Sequence, residues 1–490
     1  MRATTPSSAL WAILAILALV KAGFLAALGP VYLPDSDDYV LFADAILAGG
    51  DWARRLDLGA ELFPLTAFRA IGYPALIALF KTLFGGAWDW VLVAAQMTLS
   101  LGATAMVWRL ARRLTERTWA AGFAAVAHGL GLAFVLDQCV LTDSLHAGLL
   151  VILAAHLAVA LIDGRPPRPA EALGLGLVLV FAFLLREAGA VMHLALWPLV
   201  IAWSLGTRAG LRRGGLLLAA FLLPLFLAVQ GYMAWNQART GERFVTTVAQ
   251  TAMYHPALDL ARKGVPVFAR DPLLADAGLL PLDPIPGVTF TRINKHLRDA
   301  HGMNALAVAR HADAMFYDHW RRHPLARAEI YFGRFDPAYA RILFMPLSAP
   351  ERLSLWAGGG TPFPAPGEIG RNLIEHGRVD QALLLALRTI ARLISAALAA
   401  AFLVGVPVVV VRGLARAGRR PAAMAPRDLA LGGLWLFVMA YPAVYALVYL
   451  EDRYLAGVAP LAAVLGLAVL APWAERAAGW ARARVIPRRG

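Results

Sequence analysis

Ten apolar stretches of about 20 residues constrain the fold of this chain more than any other feature. A helix needs about 20 apolar residues to cross the hydrocarbon core of a bilayer, which is about 30 Å thick. The 490 residues are 59% hydrophobic and 16% charged, whereas a soluble domain usually carries about 25% charged residues. We therefore predict an all-α polytopic membrane protein with about ten transmembrane helices. The stretches are 9–29, 89–108, 118–137, 140–162, 171–187, 189–205, 214–235, 383–411, 429–450 and 454–474.

The arginine residues between these stretches predict how the chain is oriented. With the N-terminus in the cytoplasm and ten spans, every short arginine cluster lies on the cytoplasmic side, as the positive-inside rule requires. The same rule explains the formal net charge of +14. Binding of the basic residues to anionic lipid headgroups is a second explanation. We predict no nucleic acid partner. The clusters contain Arg109, Arg112, Arg113 and Arg117; Arg165 and Arg168; Arg208, Arg212 and Arg213; Arg412, Arg416, Arg419, Arg420 and Arg427; and Arg482, Arg484, Arg488 and Arg489.

An additional apolar stretch at 71–85 is too short for a regular span. Counting it as a span would place the later arginine clusters outside, so we predict a juxtamembrane helix there. The first stretch is long for a signal peptide and lacks a clear cleavage motif, and we interpret it as a retained span. The single cysteine, Cys139, excludes an intramolecular disulfide framework and is expected to be a small buried residue.

The predicted topology divides the chain into three parts. The middle part is large, nearly balanced in charge and rich in proline, and it contains short predicted helices such as 305–322. We expect it to be an extracytoplasmic region. The parts are a transmembrane module at 1–235 with a first external loop at 30–88, the external region at 236–382, and the last spans with a basic cytoplasmic tail at 383–490.

The first external loop opens with the sequence Asp35-Ser36-Asp37-Asp38-Tyr39. One interpretation is that Asp35 or Ser36 caps a helix at 38–48 and that the acids favour its N-terminal dipole. The other is that a carboxylate here acts as a general base or binds a divalent cation. Capping explains one or two acids more easily than three, and both interpretations can hold together.

Other charged residues lie at the same predicted external face. Arg69, before Gly72-Tyr73-Pro74, either holds a phosphate through charge-assisted hydrogen bonds or extends to the membrane surface. Asp143 either caps a helix or needs a partner or a wet cavity. Arg186 either pairs with its neighbour Glu187 or forms an anion site, and Arg453-Tyr454 poses the same choice. His128 is expected to be a hydrogen-bonded interior residue, and no Cys/His metal motif appears.

These motifs resemble those of the GT-C superfamily of integral membrane glycosyltransferases. The branch with the protein O-mannosyltransferases and the lipid A aminoarabinose transferases is the most similar. The resemblance covers residues 1–240 well and 430–475 loosely. It is carried by the sequences Asp35-Ser36-Asp37-Asp38-Tyr39, Arg69 with Gly72-Tyr73-Pro74, Leu141-Thr142-Asp143-Ser144 and Arg453-Tyr454.

The resemblance implies transfer of a sugar from a polyprenyl-phosphate donor to a hydroxyl group of a lipid, glycan or protein at the periplasmic face. Asp35 would be the general base, and Asp143 would support the acceptor or the base. The adjacent acids leave open which carboxylate is the base, and they could attract a divalent cation. The substrate- and phosphate-binding residues would be Asp37, Asp38, Tyr39, Arg69, Tyr73, Arg186, Arg453 and Tyr454.

Two other classes of protein remain open at this point. A transporter or lipid flippase also has many spans and intramembrane charges, although the sequence shows no matching halves with paired broken helices. A membrane scaffold without catalysis is the third possibility. The arginine- and alanine-rich composition indicates a bacterial inner membrane protein, with both termini predicted in the cytoplasm.

Overall fold

The computed structural model describes residues 8–165, 167–205, 210–335, 366–418 and 424–485. Of the residues in these ranges, 80% are helical, and their only extended pairing is an isolated bridge between Val31 and Cys139. The predicted all-α membrane architecture is confirmed. Part of the predicted external region, 336–365, lies outside the described residues, as do Arg208, Arg419, Arg420, Arg488 and Arg489.

The described ranges contain 22 α-helices, which we number in chain order. They are α1 (Ser8–Leu28), α2 (Pro34–Ala48), α3 (Leu65–Phe68), α4 (Gly72–Phe84), α5 (Trp88–Thr115), α6 (Thr118–Gly129), α7 (Leu132–Asp137), α8 (Thr142–Ile162), α9 (Pro169–Leu185), α10 (Gly189–Met192), α11 (Trp197–Leu205), α12 (Gly210–Thr240), α13 (Ala249–Ala252), α14 (His255–Arg262), α15 (Pro286–His301), α16 (Ala305–Arg322), α17 (Pro324–Gly333), α18 (Pro366–His376), α19 (Val379–Ala400), α20 (Val406–Arg416), α21 (Pro426–Val448) and α22 (Ala459–Val485).

Each predicted apolar stretch corresponds to a helix or to a pair of consecutive helices. In the described part of the chain, eight segments are long and apolar enough to cross a membrane, and two shorter apolar segments, Pro169–Leu185 and Gly189–Ser204, account for the other two stretches. A π-helical turn at Ala401–Gly405 joins α19 to α20 in one long segment. The last stretch begins later than predicted, because Asp452–Gly457 forms a 3-10 turn before α22.

Helix α8 lies at the centre of the bundle. It packs against α5, α9, α11 and α21, and nearly all of its residues from Thr142 to Leu161 are buried. A helix that is apolar on every side is stable only when other helices or lipid surround it. Asp143, in the first turn of α8, is therefore held by a rigid central element.

The predicted cytoplasmic loops meet at one end of the bundle. Arg113 Nε lies 3.2 Å from Asp163 Oδ1, in the next predicted cytoplasmic loop. Arg117 Nε lies 2.6 Å from Glu475 Oε1 near the end of the last span. The first external loop lies at the opposite end, since Val31 there is paired with Cys139 before α8. The two sets of loops are thus segregated as the arginine pattern predicts.

The described part of the predicted external region has its own apolar core. The helices α14 to α17 and the loop before α15 enclose buried residues such as Leu258, Phe290 and Leu297. Helix α16, Ala305–Arg322, coincides with the predicted helix 305–322. Arg327 Nη2 donates to the Leu447 carbonyl oxygen at 2.9 Å, so this region is anchored to the end of α21.

Candidate functional site

The start of α2 is fixed beside the start of α8. The Val31 N–H donates to the Gln138 carbonyl oxygen at 2.9 Å, and the Val140 N–H donates to the Val31 carbonyl oxygen at 2.9 Å. Pro34 occupies the first turn of α2, where its missing N–H is not needed. Ser36 Oγ accepts the Leu33 N–H at 2.9 Å. The serine therefore caps α2 and leaves the neighbouring aspartates free for other partners.

Asp35 lies between two arginines that are distant in sequence. Arg69 Nη2 is 2.9 Å from Asp35 Oδ1, and Arg453 Nη2 is 2.9 Å from Asp35 Oδ2. Arg69 also donates to Asp38 Oδ2, from Nη2 at 2.7 Å and from Nε at 3.0 Å. Asp35, Asp38 and Arg69 of the first external loop and Arg453 before the last helix therefore form one cluster.

Arg453 extends the cluster to Asp143. Arg453 Nη1 lies 3.9 Å from Asp143 Oδ2, and Arg186 Nη1 donates to Asp143 Oδ1 at 2.6 Å. Arg453 also pairs with Glu451 through its Nε. We call these residues the acid–arginine cluster: Asp35, Asp38, Arg69, Asp143, Arg186, Glu451 and Arg453.

The glycine of Gly72-Tyr73-Pro74 allows two parts of this cluster to approach each other. A Cβ atom at Gly72 would lie 2.5 Å from the Leu184 carbonyl oxygen, so only glycine permits α4 to begin against the end of α9. Arg69 comes just before this contact and Arg186 just after it. The close packing of α4 against α9 thus explains the glycine of this motif, independently of the resemblance.

Aromatic rings lie against the guanidinium groups of the cluster. The Arg69 guanidinium carbon lies 5.3 Å from the Tyr39 ring centroid, and that of Arg186 lies 4.2 Å from the Tyr454 ring centroid. Such contacts favour a cation where water is excluded. Tyr73 lies deeper: its ring packs edge-on against Tyr39 at 5.2 Å, and its hydroxyl donates to Gln96 Oε1 at 2.8 Å.

The arginines keep Asp35 ionised. Burial alone would raise the pKa of the Asp35 carboxyl, but Arg69 and Arg453 outweigh this and lower its pKa below the ordinary value. Burial likewise opposes the charge on Arg453, yet Asp143 and the other anionic neighbours raise the pKa of Arg453. At neutral pH Asp35 and Arg453 therefore both carry their charges.

Two predicted or considered residues are placed differently. Asp37 is exposed, and within the described ranges it makes no hydrogen bond or ion pair, so it lies apart from the arginines. The considered Arg186–Glu187 pair does not form, because Arg186 pairs with Asp143.

His128 is a buried interior residue whose Nδ1 lies 2.8 Å from Thr104 Oγ1, which confirms its prediction. Cys139 is buried, as predicted.

A second polar network lies beneath the cluster, and the sequence interpretation missed it. Lys21 in α1 pairs with Asp137 at the end of α7, and both side chains are 1% exposed. Ser144, adjacent to Asp143, donates to Asp137 Oδ1 at 2.5 Å. Gln96 Nε2 donates to the Cys139 carbonyl oxygen at 2.9 Å. A lysine and a glutamine inside apolar stretches were the available signal, because such groups need partners in a membrane.

The divalent cation that the sequence left open would compete with these arginines. Both carboxylate oxygens of Asp35 already have guanidinium partners, and Asp38 also pairs with Arg69. An anion placed between Arg69 and Arg453 would instead be attracted by both. An anionic ligand at this position would replace Asp35 as the partner of these two arginines.

Comparisons with solved structures find membrane enzymes of the superfamily named above. The archaeal oligosaccharyltransferase AglB from Archaeoglobus fulgidus, solved with an inhibitory peptide and a dolichol-phosphate, is 13% identical with a TM-score of 0.44 and matches 98% of this chain and 52% of its own. ArnT from Cupriavidus metallidurans, solved with undecaprenyl phosphate, is 14% identical with a TM-score of 0.35 and matches 96% of this chain and 79% of its own. Both are GT-C membrane glycosyltransferases.

This chain spans about half the length of the archaeal enzyme. No family model and no curated protein matches it. Identities of 13–16% and TM-scores of 0.32–0.47 describe a loose correspondence in the course of the helices.

Proposed function

We propose that this protein is a glycosyltransferase that moves a sugar from a polyprenyl-phosphate donor to an acceptor hydroxyl. The acceptor is a lipid, a glycan or a protein. The observation that carries the proposal is the position of Asp35 between Arg69 and Arg453, at 2.9 Å from each. Such a transfer needs a proton acceptor for the attacking hydroxyl and cations for the leaving phosphate, and this cluster contains both.

The arginines provide the site for the donor phosphate. Charge-assisted contacts from guanidinium groups to phosphate oxygens are strong and can be bidentate. In the free protein these groups are neutralised by Asp35, Asp38 and Asp143. When a phosphate takes Arg69 and Arg453 from Asp35, the charges that lower the pKa of Asp35 are redirected to the ligand. Asp35 then becomes a stronger base only when the donor is bound.

The reaction is a single displacement at the anomeric carbon. The acceptor oxygen forms a bond to that carbon, and its proton passes to the carboxylate of Asp35. The bond from the anomeric carbon to the phosphate oxygen breaks, and the polyprenyl phosphate leaves with the electron pair. Arginines that stabilise the developing charge lower the barrier, and direct displacement inverts the configuration of the carbon.

Exposure assigns different roles to the two aspartates. The Asp35 side chain is 29% exposed, so an acceptor can approach it, whereas that of Asp143 is 4% exposed. Asp143 instead holds Arg186 and lies near Arg453. We therefore assign proton transfer to Asp35 and the orientation of the arginines to Asp143. Tyr39 and Tyr454 lie against the arginines, and Tyr73 packs against Tyr39. Asp38 shares Arg69 with Asp35, whereas Asp37 is exposed.

The proposed location follows from the arginine clusters at the opposite end of the bundle. We place the acid–arginine cluster and the external region 236–382 at the periplasmic face of a bacterial inner membrane. The module 1–235 then carries the catalytic first loop 30–88, and 383–490 carries the last spans. Both termini lie in the cytoplasm in this arrangement.

A reconstitution experiment separates this proposal from a transporter or flippase. The purified protein is placed in liposomes with a radiolabelled polyprenyl-phosphate sugar and extracted envelope acceptors. The products are then identified by mass spectrometry. We expect a new covalent product together with free polyprenyl phosphate. Movement of the labelled lipid across the bilayer without a covalent product would support the flippase and contradict the proposal.

Replacement of Arg453 by glutamine should lower transfer and shift its pH dependence. Loss of one donor to the developing phosphate charge reduces the rate by roughly 100-fold or more. Because Arg453 helps to lower the pKa of Asp35, its removal raises that pKa. The acid limb of kcat/KM, which reports groups of the free enzyme, should then move to higher pH.

The matched control is Arg55→Gln, which alters an exposed arginine in the same external loop as Asp35. Its rate and pH profile should equal those of the wild type. An Arg453→Gln variant that is slow but keeps the wild-type acid limb would contradict the coupling of Arg453 to Asp35.

A further inference from the structure

The described part of the external region contains a group of three side chains with the composition of a metal site. The side chains are those of Asp276, His296 and His301, and their candidate ligand atoms all lie within 4.8 Å of one another. His296 and His301 lie at the C-terminal end of α15, and Asp276 lies in the loop before it. None of these residues belongs to the acid–arginine cluster.

The distance between His296 and Asp276 matches that between two ligands of one metal ion. His296 Nε2 lies 3.4 Å from Asp276 Oδ1, and this nitrogen is buried without a hydrogen-bond partner. Two atoms bound to one tetrahedral zinc ion lie about 3.3 Å apart, because each bond is about 2.0–2.1 Å long. A buried imidazole nitrogen without a hydrogen bond costs free energy unless a ligand satisfies it.

The third residue has the hydrogen bond that histidine ligands commonly make. His301 Nε2 lies 3.1 Å from the Leu273 carbonyl oxygen. Because a carbonyl oxygen only accepts hydrogen bonds, this contact places the proton on Nε2 and leaves the lone pair on Nδ1. A metal-binding histidine usually donates its other nitrogen to a carbonyl or carboxylate in this way.

Packing holds the loop and the helix together without the metal. Leu274 and Leu279 of the loop share one core with Phe290 and Leu297 of α15. Arg292 of α15 donates to the Gly278 carbonyl oxygen. The ligands are therefore brought together by the packing of the folded region.

We propose that Asp276, His296 and His301 form a binding site for a divalent transition metal ion, with zinc as the preferred occupant. Two imidazoles and one carboxylate suit borderline metals, and three protein ligands leave one position for water. The bound ion would join the loop before α15 to the end of that helix. This site is independent of the proposed sugar transfer.

The test uses the full-length protein in detergent, purified without a polyhistidine tag and stripped of metal with a chelator. Zinc is titrated in competition with a chromophoric chelator, and bound zinc per chain is measured by elemental mass spectrometry. We expect one zinc ion per chain and a higher thermal unfolding temperature with zinc. His301→Ala and Asp276→Ala should each weaken binding about tenfold or more, since even outer-shell changes have effects of this size.

The matched control is His376→Ala, which removes an exposed histidine of α18 and should bind zinc as the wild type does. Because Asp276 and His301 are exposed, their variants should fold, and elution as a single wild-type-like species checks this. Wild-type protein that binds no more zinc than the double variant His301→Ala/Asp276→Ala would overturn the proposal. So would an equal loss of binding in His376→Ala.

Discussion

The Asp35→Asn variant should lose sugar transfer by about 10²- to 10⁴-fold while its abundance in the membrane stays unchanged. The range is that of general base catalysis, because asparagine keeps the size of the side chain but cannot take the acceptor proton. Folding should be retained, since Arg69 keeps Asp38 as a partner and Arg453 keeps Glu451. Activity is measured as product formed in liposomes, and abundance by quantitative immunoblotting of membranes.

Asp44→Asn is the matched control for this variant. Asp44 lies on the same helix as Asp35, but its partner is Lys81, at 2.5 Å, and its side chain is 53% exposed. An exposed ion pair contributes about 1 kcal/mol or less, so transfer should remain at the wild-type level. Wild-type activity in Asp35→Asn would show that Asp35 is not the base. Loss of sugar transfer in Asp38→Asn alone would identify Asp38 as the base.

Replacement of Lys21 by methionine should destabilise the protein by about 3–5 kcal/mol. Lys21 and Asp137 are both 1% exposed, and removal of one partner leaves an uncompensated buried charge. This loss is a large share of a typical stability of about 5–15 kcal/mol. Because Asp137 also accepts a hydrogen bond from Ser144, the start of α8 should loosen as well. Unfolding in detergent, followed by tryptophan fluorescence, measures the effect.

Two variants make this expectation specific. Lys21→Met/Asp137→Asn should recover most of the lost stability, because asparagine can still accept the Ser144 hydrogen bond and carries no charge. Lys81→Met removes a lysine whose aspartate partner is half exposed and should lose less than about 1 kcal/mol. Equal unfolding curves for Lys21→Met and Lys81→Met would show that the buried network does not stabilise the bundle.

The membrane-spanning helices were predictable because the requirement for crossing a bilayer is local. Each apolar stretch must reach about 20 residues, whatever its neighbours are, and the ten stretches correspond to the helices observed. A helix was also predicted at 71–85 and is observed at Gly72–Phe84, joined to α5 by a 3-10 turn at Gly85–Ala87. The boundary at Ala459 was not, because Asp452–Gly457 forms a 3-10 turn.

The membership of the acid–arginine cluster was only partly predictable. Arg69, Arg186 and Arg453 were assigned to one face because loops on one side of a membrane share that face. Glu451 and the network of Lys21, Asp137 and Gln96 were missed, because no short motif contains them. The metal-site residues were missed for the same reason, since Asp276 reaches α15 only through the packing of its loop.

The sequence by itself determined the class of protein, the lengths of its apolar helices and which loops share an end of the bundle. These properties depend on residues that are adjacent in the chain. Only the tertiary structure decided the pairing: Arg186 binds Asp143 rather than its neighbour Glu187, and Arg453 lies between Asp35 and Asp143. Ion pairs depend on distances of a few ångströms, and between residues far apart in sequence the packing of helices sets those distances.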